Sequence, residues 1–277
     1  MVKHPDQLAL RYAVGSDTGV RARNEDSVFA SPRLLAVADG MGGHAHGEVA
    51  SATVVGVLAE LDDTLRETPA DPLPTLHALV AEALRRITEL SQGDPELTLM
   101  GSTLTALLWQ GNGFGLAHIG DSRGYLLHEG ELRQITKDHT LVQSLVDEGR
   151  ISPAEAAGHP RRSMLTRALQ AGGAAEPDLT SLPAVAGDRF LLCSDGVTAV
   201  VEPNAIRDTL HSAADPETAV RVLIDEAKRL RSPDNISCVV VDVVPADPTD
   251  GILIAGAAAE VEPLREPKQN WLRRLLP

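Results

Sequence analysis

Leu34-Leu35-Ala36-Val37-Ala38-Asp39-Gly40-Met41-Gly42-Gly43 is the stretch on which the fold turns. A short continuous apolar run reads as a strand buried on both faces, and the glycines behind it imply backbone approaching something closely. The arrangement recurs along the chain. Phe114 to Gly120 leads into Asp121, Phe190 to Ser194 leads into Asp195, and Asp234 stands just before the run Ile236 to Val244. One Asp-Gly pair after a strand is ordinary turn chemistry, because glycine supplies positive φ and aspartate bonds its own backbone. Four carboxylates delivered to strand ends are different: they repel one another and are costly to bury unpaired. A divalent cation on one rim of a rigid core would neutralise them.

Outward from that stretch, Ala50, Val54, Val57, Leu58, Leu61 and Leu65 fall at helical spacing, as do Leu76, Leu79, Val80, Ala83, Leu84 and Ile87. Both helices need a sheet to cover. Thr103 to Trp109, Phe114 to Ile119, Gly124 to His128 and Glu131 to Thr136 form a meander whose short links allow hairpins but no helical crossover. Residues 138–169 are expected to turn helical, with Gly149 ending one helix and Ser152-Pro153-Ala154-Glu155 opening another as a capping box. Strands at Asp178 to Pro183 and Arg189 to Ser194, a helix opened by Asp215-Pro216, and the run to Val244 complete the domain. Strands in runs with helices grouped before and after them predict an α+β layered sandwich. Residues 1–245 are expected to form one catalytic domain, with 246–277 as a flexible tail whose end, Trp271 to Leu276, reads as disordered more readily than as a short basic amphipathic patch.

A formal net charge of -14 over 277 residues argues against a nucleic-acid surface. Cys193 and Cys238, the two cysteines, sit inside apolar runs and indicate neither a disulfide framework nor a thiolate metal site. Met1 to Leu10 has no apolar signal region, and Ile252 to Ala259 is far short of the roughly 20 residues of a membrane helix. A cytoplasmic monomer without a transmembrane segment is expected.

Oxygen-only ligand sets suit Mg²⁺ or Mn²⁺. His44 and His46 could join them, although exposed loop histidines account for the pair as well. Arg21 brings a planar fork that binds phosphate bidentately, just ahead of Asn24-Glu25-Asp26. Two metals about 4 Å apart can share an aspartate and activate a water for in-line attack on phosphorus. Gly40 to Gly43 contains no Lys-Ser/Thr to complete a phosphate loop, which disfavours kinase or NTPase chemistry.

Arg21, Asn24-Glu25-Asp26, Asp39-Gly40-Met41-Gly42-Gly43-His44, Gly101-Ser102-Thr103, Gly120-Asp121-Ser122-Arg123-Gly124, Ser194-Asp195-Gly196 and Asp234-Asn235, in this order, resemble the motifs of the metal-dependent Ser/Thr protein phosphatases of the 2C type in their bacterial, actinobacterial form. The resemblance covers roughly residues 8–244. It implies a four-layer α-β-β-α sandwich with two central antiparallel sheets and a centre of two Mn²⁺ or Mg²⁺ ions, with a third ion in bacterial members. It implies hydrolysis of phosphoserine and phosphothreonine in proteins, Ser/Thr kinases among them, by a water activated between the two ions, reversing kinase signalling. Asp39 matches the bridging ligand, Gly40 a carbonyl ligand, Asp195 and Asp234 ligands of the other metal, and Glu25 and Asp26 groups that hold metal-bound water. Arg21 matches the phosphate-binding arginine. Asp121, Asp195 and the backbone of Ser163 match the third site, and residues 138–169 the flap beside it. The chain departs from the pattern twice: one residue, Val20, separates Gly19 from Arg21 where many relatives have two, and Met41 stands where eukaryotic relatives place a proton-donating histidine. That leaves His44 or metal-bound water as the general acid. A catalytically silent scaffold of the same fold is the competing expectation, and an intact carboxylate set beside Arg21 weighs against it.

Overall fold

The computed structural model describes residues 8–42, 46–173, 176–245 and 248–260. Strand β1 (Ala9–Asp17) is followed by β2 (Asp26–Ala30) and β3 (Leu34–Met41), then by helices α1 (Gly47–Glu67) and α2 (Pro72–Gly93). The short β4 (Gly101–Ser102) precedes the meander β5 (Leu104–Trp109), β6 (Gly113–Ile119), β7 (Arg123–His128) and β8 (Glu131–Gln134). An excursion containing α3 (Leu141–Asp147) and α4 (Pro153–Ala157) returns through β9 (Leu169–Gln170), β10 (Asp178–Pro183) and β11 (Arg189–Cys193). Helices α5 (Asp195–Thr198), α6 (Pro203–Ser212) and α7 (Pro216–Arg229) lead to β12 (Ile236–Val244), β13 (Leu253–Gly256) and α8 (Ala257–Glu260).

All strand pairs run antiparallel, in two sheets ordered β1-β12-β11-β7-β8 and β10-β6-β5-β3-β2-β13, with β4 and β9 attached beside β3. The alternation of strand side chains explains why the opening stretch is apolar throughout. Leu35 and Val37 face the space between the sheets, against Phe190, Val239 and Val241. Leu34, Ala36 and Ala38 face outward, under Val54, Leu58 and Leu61 of α1 and Leu76 and Leu79 of α2. On the far side Leu191, Cys193, Cys238 and Val240 lie under Ile206 and Leu210 of α6 and Ala219 and Leu223 of α7. The result is the α-β-β-α order.

Helix starts follow the sequence signals. Asp215 accepts from Thr218 N at 2.7 Å, Ser152 and Glu155 form the capping box ahead of Pro153, and Gly149 takes φ +67° behind α3.

Three expectations need correction. The helical content of 138–169 is confined to α3 and α4, because the two arms of the excursion pair with each other: Leu141 N donates to Met164 O and Thr166 N to His139 O, both at 2.8 Å, around a Thr140–Leu165 bridge. The expected tail 246–277 begins too early. Leu253 to Gly256 pair with Ala30 to Ser27 at the sheet edge, Ala257 is buried, and Tyr12 holds Gly251 and Thr249 by hydrogen bonds. A four-residue edge strand behind a Pro- and Asp-rich link leaves little periodicity to read. Asp39 does not end β3, since Gly40 and Met41 continue the ladder against Ser102 and Gly101. Trp271 to Leu276 lie outside the described residues. Among the described residues no helix is long and apolar enough to cross a membrane.

Candidate active site

The register of β2 on β3 sets Asp26 directly opposite Asp39. Gly40 follows because nothing larger fits: a Cβ there would lie 2.1 Å from Gly47 O and 2.4 Å from Glu25 O. Asp39 is fixed through its main chain, its N–H donating to Thr103 Oγ1 at 3.0 Å and its carbonyl accepting from Thr103 N at 2.9 Å. The sheet that contains β11 and β12 brings Asp195, the first residue of α5, and Asp234 just before β12. Ser194 ties the sheets together, its hydroxyl donating to Asp26 Oδ2 at 2.7 Å.

Asn235 organises the loop that carries Arg21. Its Nδ2 donates to Thr18 O at 2.9 Å and Arg23 O at 2.8 Å, while its Oδ1 accepts from Glu25 N at 2.9 Å. Asn235, Thr103 and Ser194 belong to the ordered motifs, but the sequence alone assigns them no role. Asn235 and Ser194 are signalled by standing beside a carboxylate and Thr103 only by its motif, and their partners lie tens to hundreds of residues away.

Arg21, Glu25, Asp39, Gly40, Asp121, Ser163, Asp195 and Asp234 all line one cleft of about 500 Å³, together with Met41, Gly42, Thr103 and Leu165. Asp26 sits behind that lining, 1% exposed. His44 lies outside the described residues. The shortened loop keeps Arg21 at the cleft, with Nη2 on Asp234 Oδ2 at 2.7 Å and Nε on Pro233 O at 2.8 Å.

The carboxyls strain against one another. Burial, reinforced by Asp195 and Asp234, pushes Asp26 up to about 7. Burial and then Asp195 push Asp121 up to about 7, and burial and then Asp234 push Asp195 up to about 6. Burial, with Asp26 the first of its charged neighbours, holds Asp39 well above the usual carboxylate range, and burial and Glu48 raise Glu25. Asp195 Oδ1 is also buried without a hydrogen-bond partner, an acceptor that costs about 1–3 kcal/mol if nothing meets it.

An all-oxygen donor set, mutual repulsion and an orphaned carboxylate oxygen fit hard divalent cations. Among the described residues no three His, Cys, Asp or Glu side chains form a ready metal-holding group.

Known proteins resemble this chain in sequence and in fold. Residues 20–234 match the family model described as protein phosphatase 2C. The chain is 52% identical over 263 residues to the serine/threonine protein phosphatase PstP of Mycobacterium tuberculosis, covering 94% of this chain and 50% of PstP. It therefore spans about half the length of that relative. The serine/threonine phosphatase stp of Listeria welshimeri is 36% identical over 230 residues, covering 80% of this chain and 91% of stp. A crystal structure of the PstP catalytic domain in complex with two manganese ions superposes with a TM-score of 0.79 at 52% identity, covering 86% of this chain and 99% of that one. With the ordered motifs, the two-sheet sandwich and the carboxylate cleft in agreement, the chain belongs to the protein phosphatase 2C family.

Proposed function

We propose that the chain hydrolyses phosphoserine and phosphothreonine in proteins, protein kinases among them, using two Mn²⁺ or Mg²⁺ ions and a third at an accessory position. The observation that carries this reading is the convergence of Asp39, Asp195 and Asp234 with Arg21 in one cleft, with a buried carboxylate oxygen of Asp195 left unpaired. Divalent ions bound there supply Lewis acidity and a nucleophilic water at neutral pH.

The side chains divide the remaining work. Asp39, the Gly40 carbonyl, Asp195 and Asp234 would hold the two principal ions, and Asp121 with the Ser163 backbone would hold the accessory ion. Glu25 from the cleft wall and Asp26 from behind it orient water. Arg21 uses Nε and Nη2 on Pro233 and Asp234, which fixes its guanidinium at the cleft and leaves its other N–H groups for the substrate phosphate. Protonation of the leaving alkoxide falls to His44 or to a water in the cleft.

The reading is tested by phosphate release from a phosphothreonine peptide in saturating Mn²⁺. Asp39→Asn and Asp195→Asn should each lower kcat by about 100-fold or more, as expected for charge stabilisation made only in the transition state. Variants that turn over within a few-fold of the parent would remove these carboxylates from the mechanism.

A further inference from the structure

Asp121 stands in a tight turn between β6 and β7, and the first residues of the excursion grip that turn on both sides. On one side Arg123 forms a bidentate pair with Asp138, Nε to Oδ1 at 2.9 Å and Nη2 to Oδ2 at 2.7 Å. On the other side Gly120 and His139 exchange two hydrogen bonds. His139 N donates to Gly120 O at 2.7 Å, and Gly120 N donates to His139 Nδ1 at 3.2 Å. Gly120 takes φ +112°, and a Cβ there would lie 2.5 Å from Thr103 Cγ2, so only glycine fits the turn at this position.

Because Nδ1 accepts, the neutral imidazole carries its proton on Nε2, where it donates to Asp178 Oδ2 at 3.2 Å. Asp178 Oδ1 in turn accepts from Arg167 Nη1 at 2.8 Å, on the returning arm of the excursion. The His139 carbonyl accepts from Thr166 N at 2.8 Å, which knits that arm to the outgoing one. The ring packs 4.7 Å, centroid to centroid, from His118, itself held by Thr105 Oγ1 and Lys137 O at 3.0 Å each. Its side chain is 3% exposed. That burial rules out contact with substrate and leaves His139 a mechanical part.

We propose that His139 is a positioning residue that couples the turn holding Asp121 to the two arms of the flap. Nδ1 fixes the Ile119–Gly120 peptide, and with it the path by which Asp121 is placed toward its cation. Nε2, through Asp178 and Arg167, holds the returning arm that presents Ser163. The two bonds separate the two tasks. The proposal rests on the reading of Asp121 as an accessory-metal ligand for its first half and on hydrogen bonding alone for its second.

Three variants test it on the full chain, with Mn²⁺ binding followed by calorimetry and flap order by amide hydrogen exchange over 140–170. His139→Leu removes both bonds. It should weaken the weakest Mn²⁺ site by about tenfold or more, the usual loss when the support of a ligand is removed, and speed flap exchange by about tenfold. His139→Asn keeps an acceptor for Gly120 N but is too short for Asp178, so it should restore the metal site and leave the flap fast. Asp121→Asn separates the proposal from the reading it rests on. If Asp121→Asn abolishes the weak site and His139→Leu leaves it unchanged, the first half is overturned. If Asp121→Asn changes no site, the metal reading of Asp121 falls and the proposal stands or falls on flap exchange, which an unchanged rate in His139→Leu would overturn. Should His139→Leu fail to fold, His139→Asn decides alone: slow flap exchange in that variant contradicts the role given to Nε2.

Discussion

Replacing Asp39 by asparagine should stabilise the metal-free protein while destroying its metal centre. Asp26, directly across the hairpin, is pushed up to about 7 from an ordinary 3.8, and a displacement of that size corresponds to ~4 kcal/mol of ionisation cost. Asp39 is displaced in the same direction, by burial first and by Asp26, Asp195, Asp121 and Asp234 after it. It opens onto the cleft, so solvent screening leaves only part of such a cost to recover. For a domain of this size each ~1 kcal/mol recovered raises Tm by about 2–4 °C. The sign follows from linkage: a carboxyl raised in the folded state favours folding while protonated, and that contribution is lost as pH rises through its folded value. The gap between variant and parent should therefore be widest near pH 8 and close toward pH 5. Mn²⁺ at about 100 times its Kd should add ~2.7 kcal/mol to the parent and far less to Asp39→Asn, reversing their order. Scanning calorimetry at pH 5 and pH 8, with EDTA or Mn²⁺, reads all four states. A variant that melts at or below the parent in EDTA at pH 8 would refute the claim that unneutralised carboxylates strain this rim.

The same protonation chemistry should make Mn²⁺ binding pH-dependent: with Asp195 at about 6 and Asp26 and Asp121 at about 7, affinity should fall steeply between pH 8 and pH 6, and a flat profile by calorimetry would contradict these directions. Arg21→Ala should raise KM for a phosphothreonine peptide by about tenfold or more, the loss of a charge-assisted phosphate contact, while leaving Mn²⁺ stoichiometry unchanged. Gly196→Ala would set a Cβ 1.8 Å from Asn235 O, a backbone atom, and should cost about 1–3 kcal/mol of stability while weakening Mn²⁺ binding, because Asp195 and Asp234 flank that contact. Cys193 and Cys238 are buried, and burial pushes the Cys193 thiol up to about 12, so a thiol-specific reagent should modify neither until the protein unfolds.

The parts of the fold legible in the sequence are those where local pattern and tertiary role coincide. Ile236 to Val244 is apolar through almost its whole length because it is a central strand covered on both faces, and the observed strand has those bounds. Asp215-Pro216 announces α7 by a cap that needs only its own first turn. Helix α6 escaped because only Ile206 and Leu210 are buried along it, too few to show a period. The excursion 138–169 read as helical because its stabilising pairs, such as Leu141 with Met164, join residues whose contact no local pattern announces.

The candidate site divides in the same way. Asp39, Asp121, Asp195 and Asp234 are legible because each follows or precedes an apolar run, whereas Asp26 is marked in the sequence by resemblance alone and its position opposite Asp39 comes from strand register. Asn235 and His139 act through partners distant in sequence. For such residues sequence conveys identity, and geometry conveys the task.

The most direct test strips the chain with EDTA, confirms that metal is gone, and follows phosphate release from a phosphothreonine peptide as Mn²⁺ is added back. The account predicts no turnover without metal and recovery of activity as the two tighter sites fill. Release of phosphate by the metal-free protein, or Mn²⁺ binding that leaves the peptide phosphorylated, would contradict it.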